Sequence, residues 1–279
     1  LAGMEAELEA MKKAKTPEEE WTPLTKHLKR SHGKNAIDAA LDLARRQPGI
    51  PVHQEELNRK RDYLPVANGV VNLRTGELMT GARGDLFTRT ITHEYQGKAP
   101  CPTWIDHLKR CTGGDKELLS WLHKVFGYTL TGRTNEQCLF FFYGEGSTGK
   151  STTIGTLNKV LGEFCADLDK GKLMAKRFED EIPTHFARLI GRRMVTAVEV
   201  NKEDRFDEGL IKKLTGEGVL QTRFMRQDAF DLEVMFKLYL TGNHKPTIYG
   251  QDQGIWRRFK LVPFDREIPV EERDHLIEE

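Results

Sequence analysis

Residues 144–151, GEGSTGKS, follow directly on an apolar run, CLFFFYG, and lead directly into a helix-forming one, STTIGTLNKVLG. This satisfies G-x-x-x-x-G-K-[ST] in the strand, loop and helix setting that the pattern requires. The glycines leave backbone N–H groups free to wrap an anion, and the helix behind them turns its positive dipole end toward it. A chain built around such a segment is expected to form a layered α/β domain, with phosphate chemistry at the C-terminal ends of its strands. The candidate nucleotide-binding residues are Gly144, Glu145, Gly146, Ser147, Thr148, Gly149, Lys150, Ser151 and Thr152. Lys150 is expected to neutralise the β and γ phosphates of ATP. Ser151 is expected to ligand Mg²⁺ through its hydroxyl, since a hard cation bridging phosphates takes oxygen donors.

Hydrolysis also needs an acid near the metal and the attacking water. The segment RRMVTAVEV places Glu199 at the end of an apolar strand, where an acid is seldom found without a purpose. An edge glutamate in a surface ion pair is the competing explanation. Val200 comes next, so there is no acidic pair, and Glu199 is left to serve both metal and water with Glu203 and Asp204 in reserve. KLYLTGN closes another strand on Asn243, whose amide can hold the lytic water or touch the γ-phosphate, although Asn beside Gly also makes an ordinary turn. In GIWRRFKLVPF, Arg257 and Arg258 stand before an apolar strand that can seat them rigidly. An arginine reaching a neighbour's γ-phosphate raises turnover by about 10³ to 10⁵, whereas paired basic residues elsewhere simply solvate a surface.

The rest of the chain supplies two domains at most. Its 279 residues are 38% hydrophobic, enough for a core in each. Residues 4–13, the TPEEE start and NAIDAALDLARR read as helices, with Ile37, Leu41 and Leu43 on one side of the last. DYLPVANGVVNLRTGELMTG reads as a hairpin turning around residues 74–76. CPTWIDHLKRC and DKELLSWLHKVFGYTL return to helical spacing, with Trp104, Leu108, Leu119, Leu122, Val125 and Phe126 as the buried stripe. The expected division is a mainly helical N-terminal domain with a β-hairpin over 1–134 and the α/β nucleotide domain over 135–279.

The 43 Lys and Arg nearly cancel the 42 Asp and Glu, so contact with nucleic acid has to come from a local basic cluster. The cysteines, Cys101, Cys111, Cys138 and Cys165, form no C-x-x-C pair and sit beside no histidine at metal spacing, which disfavours zinc and fits a reduced, cytoplasmic setting. No stretch is apolar enough to cross a membrane. A start on Leu1 and an end inside the helix-like EERDHLIEE lead to the expectation of a longer polypeptide.

Taken in order, GEGSTGKST, VTAVEV, IKKLTGEG, YLTGNHKP and GIWRRFKLVPF resemble the superfamily 3 helicases, specifically the phage and plasmid type primase-helicases. Upstream, LDLARRQPGIPV, LPVANGVVNLRTGEL and YTLTGRTNEQ look like the helical domain that precedes the motor in that family, so the likeness covers nearly the whole chain. It implies an AAA+-like core, a hexameric ring with ATP bound between neighbours, and 3′ to 5′ travel on single-stranded or forked DNA during phage or plasmid replication. A primase domain or protein is an implied partner. Lys150 and Ser151 match the nucleotide motif, Glu199 the acidic motif, Asn243 the polar sensor, and Arg257 and Arg258 the arginine finger region. Gly218 departs from the acid usual in the segment after Lys212.

In that family DNA is held by a hairpin between the acidic and sensor strands. Here the segment is VLQTRFMRQDAFDLEVMF, with Arg226 and Gln227 at its tip, Arg223 on the ascending strand, and Lys212 and Lys213 on the preceding helix. Residues 188–226 hold nine Lys and Arg against six Asp and Glu, a local basic excess. Phe224 and Met225 could stack on bases, with core packing the alternative for Phe224. Two further functions fit the same motifs: a nucleotide-switched initiator or assembly factor that does not unwind, suggested by the lone acid, and a small-molecule P-loop kinase, which has little use for an inter-subunit arginine.

Overall fold

The structure, a computed structural model, describes residues 2–175, 183–201, 203–216, 219–246, 248, 253–272 and 277. They form two compact units, Leu1–Leu57 and Asn58–Glu279. The first consists of α1 (Ala2–Lys13), α2 (Glu18–Ser31) and α3 (Lys34–Ala44). Pro17 and the acids Glu18, Glu19 and Glu20 start α2, and Lys29 and Arg30 end it, each charge placed to suit the helix dipole. Leu28 is buried, whereas Ile37, Leu41 and Leu43 on α3 are exposed.

The second unit opens on an antiparallel meander of β1 (Tyr63–Val66), β2 (Gly69–Asn72) and β3 (Glu77–Met79). The expected hairpin is therefore two hairpins. The additional turn runs through Ala67 and Asn68 into Gly69, where a Cβ would stand 2.4 Å from the Met79 carbonyl oxygen. Next come α4 (Pro102–Cys111) and α5 (Lys116–Leu130), the latter capped by Asp115, which accepts from the Glu117 and Leu118 N–H groups. Of the predicted stripe, Leu108, Leu122 and Val125 are buried, and Trp104, Leu119 and Phe126 are half-buried.

Then follow β4 (Leu139–Tyr143), α6 (Lys150–Leu161), β5 (Cys165–Asp167), β6 (Met194–Ala197), α7 (Glu208–Leu214), β7 (Leu220–Arg223), β8 (Ala229–Leu232), β9 (Lys237–Gly242), α8 (Gln253–Trp256) and β10 (Phe259–Pro263). Among the described residues one sheet has five strands in the order β10-β4-β9-β6-β5, every pairing parallel. This is a P-loop α/β fold of the AAA+-like kind. Both of its faces are covered, which is why LFFFY is apolar without alternation. Leu139 and Phe141 pack with Val195, Leu238, Leu240 and α7, while Phe140 and Phe142 pack with α5, α6 and the meander.

That second core bears on the domain division. The expected modules 1–134 and 135–279 meet within one compact unit, because Leu64, Val71, Leu122 and Val125 share a core with Ile154 and Leu161 of α6. Two buried cations add to the junction. Arg193 donates to the carbonyls of Arg61, Leu130 and Tyr63, and Lys237 to those of Thr131 and Arg133.

Candidate functional site

A cavity of about 710 Å³ opens at the C-terminal ends of β4, β6 and β9. Its walls are residues 146–149 of the loop before α6 with residues 150–152 of the helix's first turn, residues 198–201 and Glu203 after β6, and Thr241, Gly242, Asn243 and His244 at the end of β9. The structure thus brings Gly146, Ser147, Thr148, Gly149, Lys150, Ser151, Thr152, Glu199 and Asn243 together. Gly144 and Glu145 stand at the entry to the loop and contribute through their carbonyls.

The loop is a left-handed cradle, with Ser147 at φ 62° and Gly149 at φ 84°, a course that turns successive N–H groups inward. It is braced on three sides. The Phe264 N–H donates to the Tyr143 carbonyl and the Ile268 N–H to the Ser147 carbonyl. A Cβ on Gly144 would lie 2.0 Å from the Phe264 oxygen, and one on Gly149 would lie 2.4 Å from the Cys111 sulfur. Beneath the loop His107 Nε2 is 2.9 Å from the Thr153 hydroxyl, and Thr153 donates to the Gly149 carbonyl. The pair His107 and Cys111, one turn apart on α4, is thus a support for the loop. Among the described residues no group of three or more His, Cys, Asp or Glu side chains is placed to hold a metal.

Lys150 is 8% exposed. Its ammonium donates to the Gly144 carbonyl at 2.7 Å, the Glu145 carbonyl at 2.6 Å and the Thr148 hydroxyl at 3.0 Å. Three donors meet three acceptors, and burial pulls the lysine below its ordinary pKa.

Glu199 was expected at the end of a strand. The ladder in fact ends at Ala197, and Glu199 lies in a left-handed kink at φ 60°, a conformation that costs a non-glycine residue about 1 kcal/mol and marks functional positions. The kink is pinned on both sides. Val200 donates its N–H to the Thr241 carbonyl, and Lys170 donates to the Glu199 carbonyl at 2.6 Å. Asp204, held in reserve as a second acid, instead accepts from the Asn201 N–H and pairs with Lys170 at 3.2 Å, so it closes the loop behind Glu199. Lys170, in the short turn that follows β5, had no signal in the sequence. The strand expected to close on Asn243 ends one residue earlier, at Gly242, and Asn243 follows it directly; β9 lies between the phosphate loop's β4 and the acid's β6. Two strand spacings, about 10 Å, therefore separate the strand that leads into the cradle from the strand that leads to the carboxylate.

Neither arginine of the pair lines the cavity. Arg258 is 1% exposed, with its guanidinium on the Thr215 hydroxyl and the Gly254 carbonyl. Arg257 is exposed and donates to the Gln137 side-chain oxygen at 2.6 Å.

The hairpin between the acidic and sensor strands is β7 paired with β8. Arg226 at φ 59° and Gln227, whose N–H donates to the Phe224 carbonyl, form its exposed tip. Arg223 ends β7, and Lys212 and Lys213 lie in the last turn of α7. Phe224 is outside the core: it is exposed and stacks on Phe230 at 5.4 Å, with Met225 exposed beside it. Gly218 lies outside the described residues.

Residues 2–113 match the family described as D5 N terminal like, and residues 142–258 match a family of unknown function (DUF5906). A protein of Acanthamoeba polyphaga mimivirus provisionally named a helicase, L207/L206, is 25% identical over 219 residues, which is 77% of this chain and 23% of the relative. Primase D5 of Fowlpox virus (strain NVSL) is 26% identical over 218 residues, 73% of this chain and 27% of the relative. The chain therefore spans about a quarter of the length of these relatives. The apo C-terminal region of NrS-1 aligns at a TM-score of 0.49 with 14% identity, over 63% of this chain and 40% of that one. Among the described residues no helix is long and apolar enough to cross a membrane.

Proposed function

The chain is of the phage and viral superfamily 3 primase-helicase type, and from that premise we propose that it is the ATP-driven motor of a replicative DNA helicase. The observation that carries this reading is the meeting of Lys150, Ser151, Glu199 and Asn243 around one cavity whose volume, about 710 Å³, suits a nucleoside triphosphate. The two relatives' names, a helicase and a primase, support a place in DNA replication.

Each residue has a role that its position allows. Lys150 exchanges its loop carbonyls for the β and γ phosphates of ATP, and the left-handed cradle gives its N–H groups to the same oxygens. The gap of two strand spacings leaves room for the terminal phosphate and a water. Glu199 takes the water's proton, and the Asn243 amide orients the water or the phosphate. Mg²⁺ fits the donor set, because the Ser151 hydroxyl and Glu199 carboxylate are hard oxygen ligands and phosphate oxygens complete a shell without an all-protein cage. When bound, it supplies charge neutralisation across the phosphates.

Arg257 serves a second copy. β10 runs parallel to β4, so its start lies at the opposite end of the sheet from the cavity, about 16 Å along the strand. Arg257 precedes that start and is exposed; Arg258 is held inside. A contact that carries Arg257 to the cavity of the next copy is heterologous, and where its rotation closes it makes a ring, hexameric as the family likeness implies. The tips bearing Arg226 and Gln227, backed by Arg223, Lys212 and Lys213, then grip single-stranded or forked DNA, with phosphate contacts adding over the copies. Travel is 3′ to 5′, with a primase domain or protein acting alongside.

The test is ATP hydrolysis measured with and without single-stranded DNA, beside unwinding of a 3′-tailed duplex. The natural protein does both and Lys150→Ala does neither. DNA-stimulated hydrolysis with no strand separation would favour a switched assembly factor, and unwinding that survives Lys150→Ala would refute the assigned site.

A further inference from the structure

Two apolar side chains are exposed where the proposed ring contact needs them. Trp256, the residue before Arg257, is 47% exposed, and Val198, the residue before Glu199, is 54% exposed on the rim of the cavity. The exposure of Val198 has a local cause: the kink that aims Glu199 also turns its predecessor out of the sheet, between buried Ala197 and buried Val200. Trp256 ends α8, whose Ile255 is fully buried, so its backbone is seated while its ring is left in water. A large aromatic side chain left out beside a functional arginine has the makings of an interface anchor.

We infer that Trp256 and Val198 are the two halves of one contact between copies of this chain: Trp256 of one copy covers Val198 of the next, and Arg257 passes beside it to the phosphates. This rests on the proposed nucleotide site with its arginine supplied by a neighbour. The argument is one of chain geometry and complementarity. Consecutive Cα atoms are about 3.8 Å apart, so an Arg257 that reaches the cavity sets Trp256 down within one side chain's reach of the rim. The rest of that rim is polar or acidic, with Glu199, Asn201 and Glu203, and Val198 is its exposed apolar residue. The acids Glu199 and Glu203 match the charge of Arg257, and Val198 matches the ring of Trp256.

The experiment is directed cross-linking. In a Cys101→Ser background, which removes an exposed thiol, proteins carrying Trp256→Cys or Val198→Cys are mixed with Mg²⁺ and a non-hydrolysable ATP analogue and then oxidised. A disulfide forms only when the two Cα atoms come within about 7 Å. Covalent dimers are expected in the mixture with nucleotide, and in neither protein alone. In parallel, Trp256→Ala is expected to weaken nucleotide-dependent assembly, followed by sedimentation, by about tenfold or more, with binding of a fluorescent ATP analogue to the dilute chain unchanged. Nucleotide-dependent assembly with no cross-link, and with Trp256→Ala assembling as the natural chain does, would overturn the contact and leave the nucleotide site standing. A natural chain that fails to bind the analogue at all would overturn the nucleotide site and the contact with it.

Discussion

Lys150 holds three loop acceptors where a nucleotide's phosphates are proposed to go, so binding is an exchange of partners for a residue already buried and satisfied. The neighbouring positions were legible for the same reason: a tight anion cradle needs left-handed backbone, and glycine at 144 and 149 is dictated by both φ and the atoms a Cβ would meet. Other residues were not legible. Nothing in RRFK distinguishes exposed Arg257 from buried Arg258, because that choice depends on Thr215 and the Gly254 carbonyl, one of them far away in sequence. Asp62 is a third case. The Arg133 guanidinium first, and Arg74 beside it, hold its carboxyl well below the usual carboxylate range. Since the folded state prefers the ionised form, this stabilisation is present above the ordinary value of 3.8 and is lost as pH falls below it. Asp62→Asn is accordingly expected to lower the melting temperature at neutral pH, with the gap to the natural chain narrowing below pH 3.8, as thermal denaturation across pH would record.

At the scale of elements, the hairpin β7–β8 carries the proposed DNA grip. Arg226 occupies a left-handed turn position that glycine or asparagine would fill more easily, and a use for its charge would account for an arginine at that strained position. Arg226→Ala keeps that backbone strain and removes only the guanidinium. It is expected to leave basal ATPase intact, to reduce DNA stimulation, and to lower the salt slope of DNA binding by about one per engaged copy. Equal loss of basal and stimulated rates would make Arg226 a structural residue. The strands themselves were legible from apolar runs and the helices from their periodicity. The meander reads as one hairpin when the β-branched run outweighs Asn68-Gly69, a hairpin-turn signal inside it; the structure puts a turn there, with the Met79 carbonyl against Gly69. The end of β6 was misplaced by two residues because the kink at Glu199 is imposed from outside, by Lys170 and Thr241.

For the whole molecule, the nearly balanced charge gives no general pull toward DNA, and the function rests on where a few charges stand. Composition and motif order carry the fold class. They do not carry the packing of residues 58–134 onto the sheet, which depends on Arg193 and Lys237 reaching back to the carbonyls of Arg61 and Thr131, each more than a hundred positions earlier. The central claim is that a cavity built on Lys150 in one copy is completed by Arg257 of another. The direct measurement is ATPase activity in mixtures of Lys150→Ala and Arg257→Ala proteins, each of which is expected to be inactive alone. A copy with intact Lys150 but no Arg257 can borrow the arginine of a Lys150→Ala neighbour, so activity should return and peak at intermediate ratios. Activity that stays absent at every ratio, with mixed assemblies shown to form, would contradict the account.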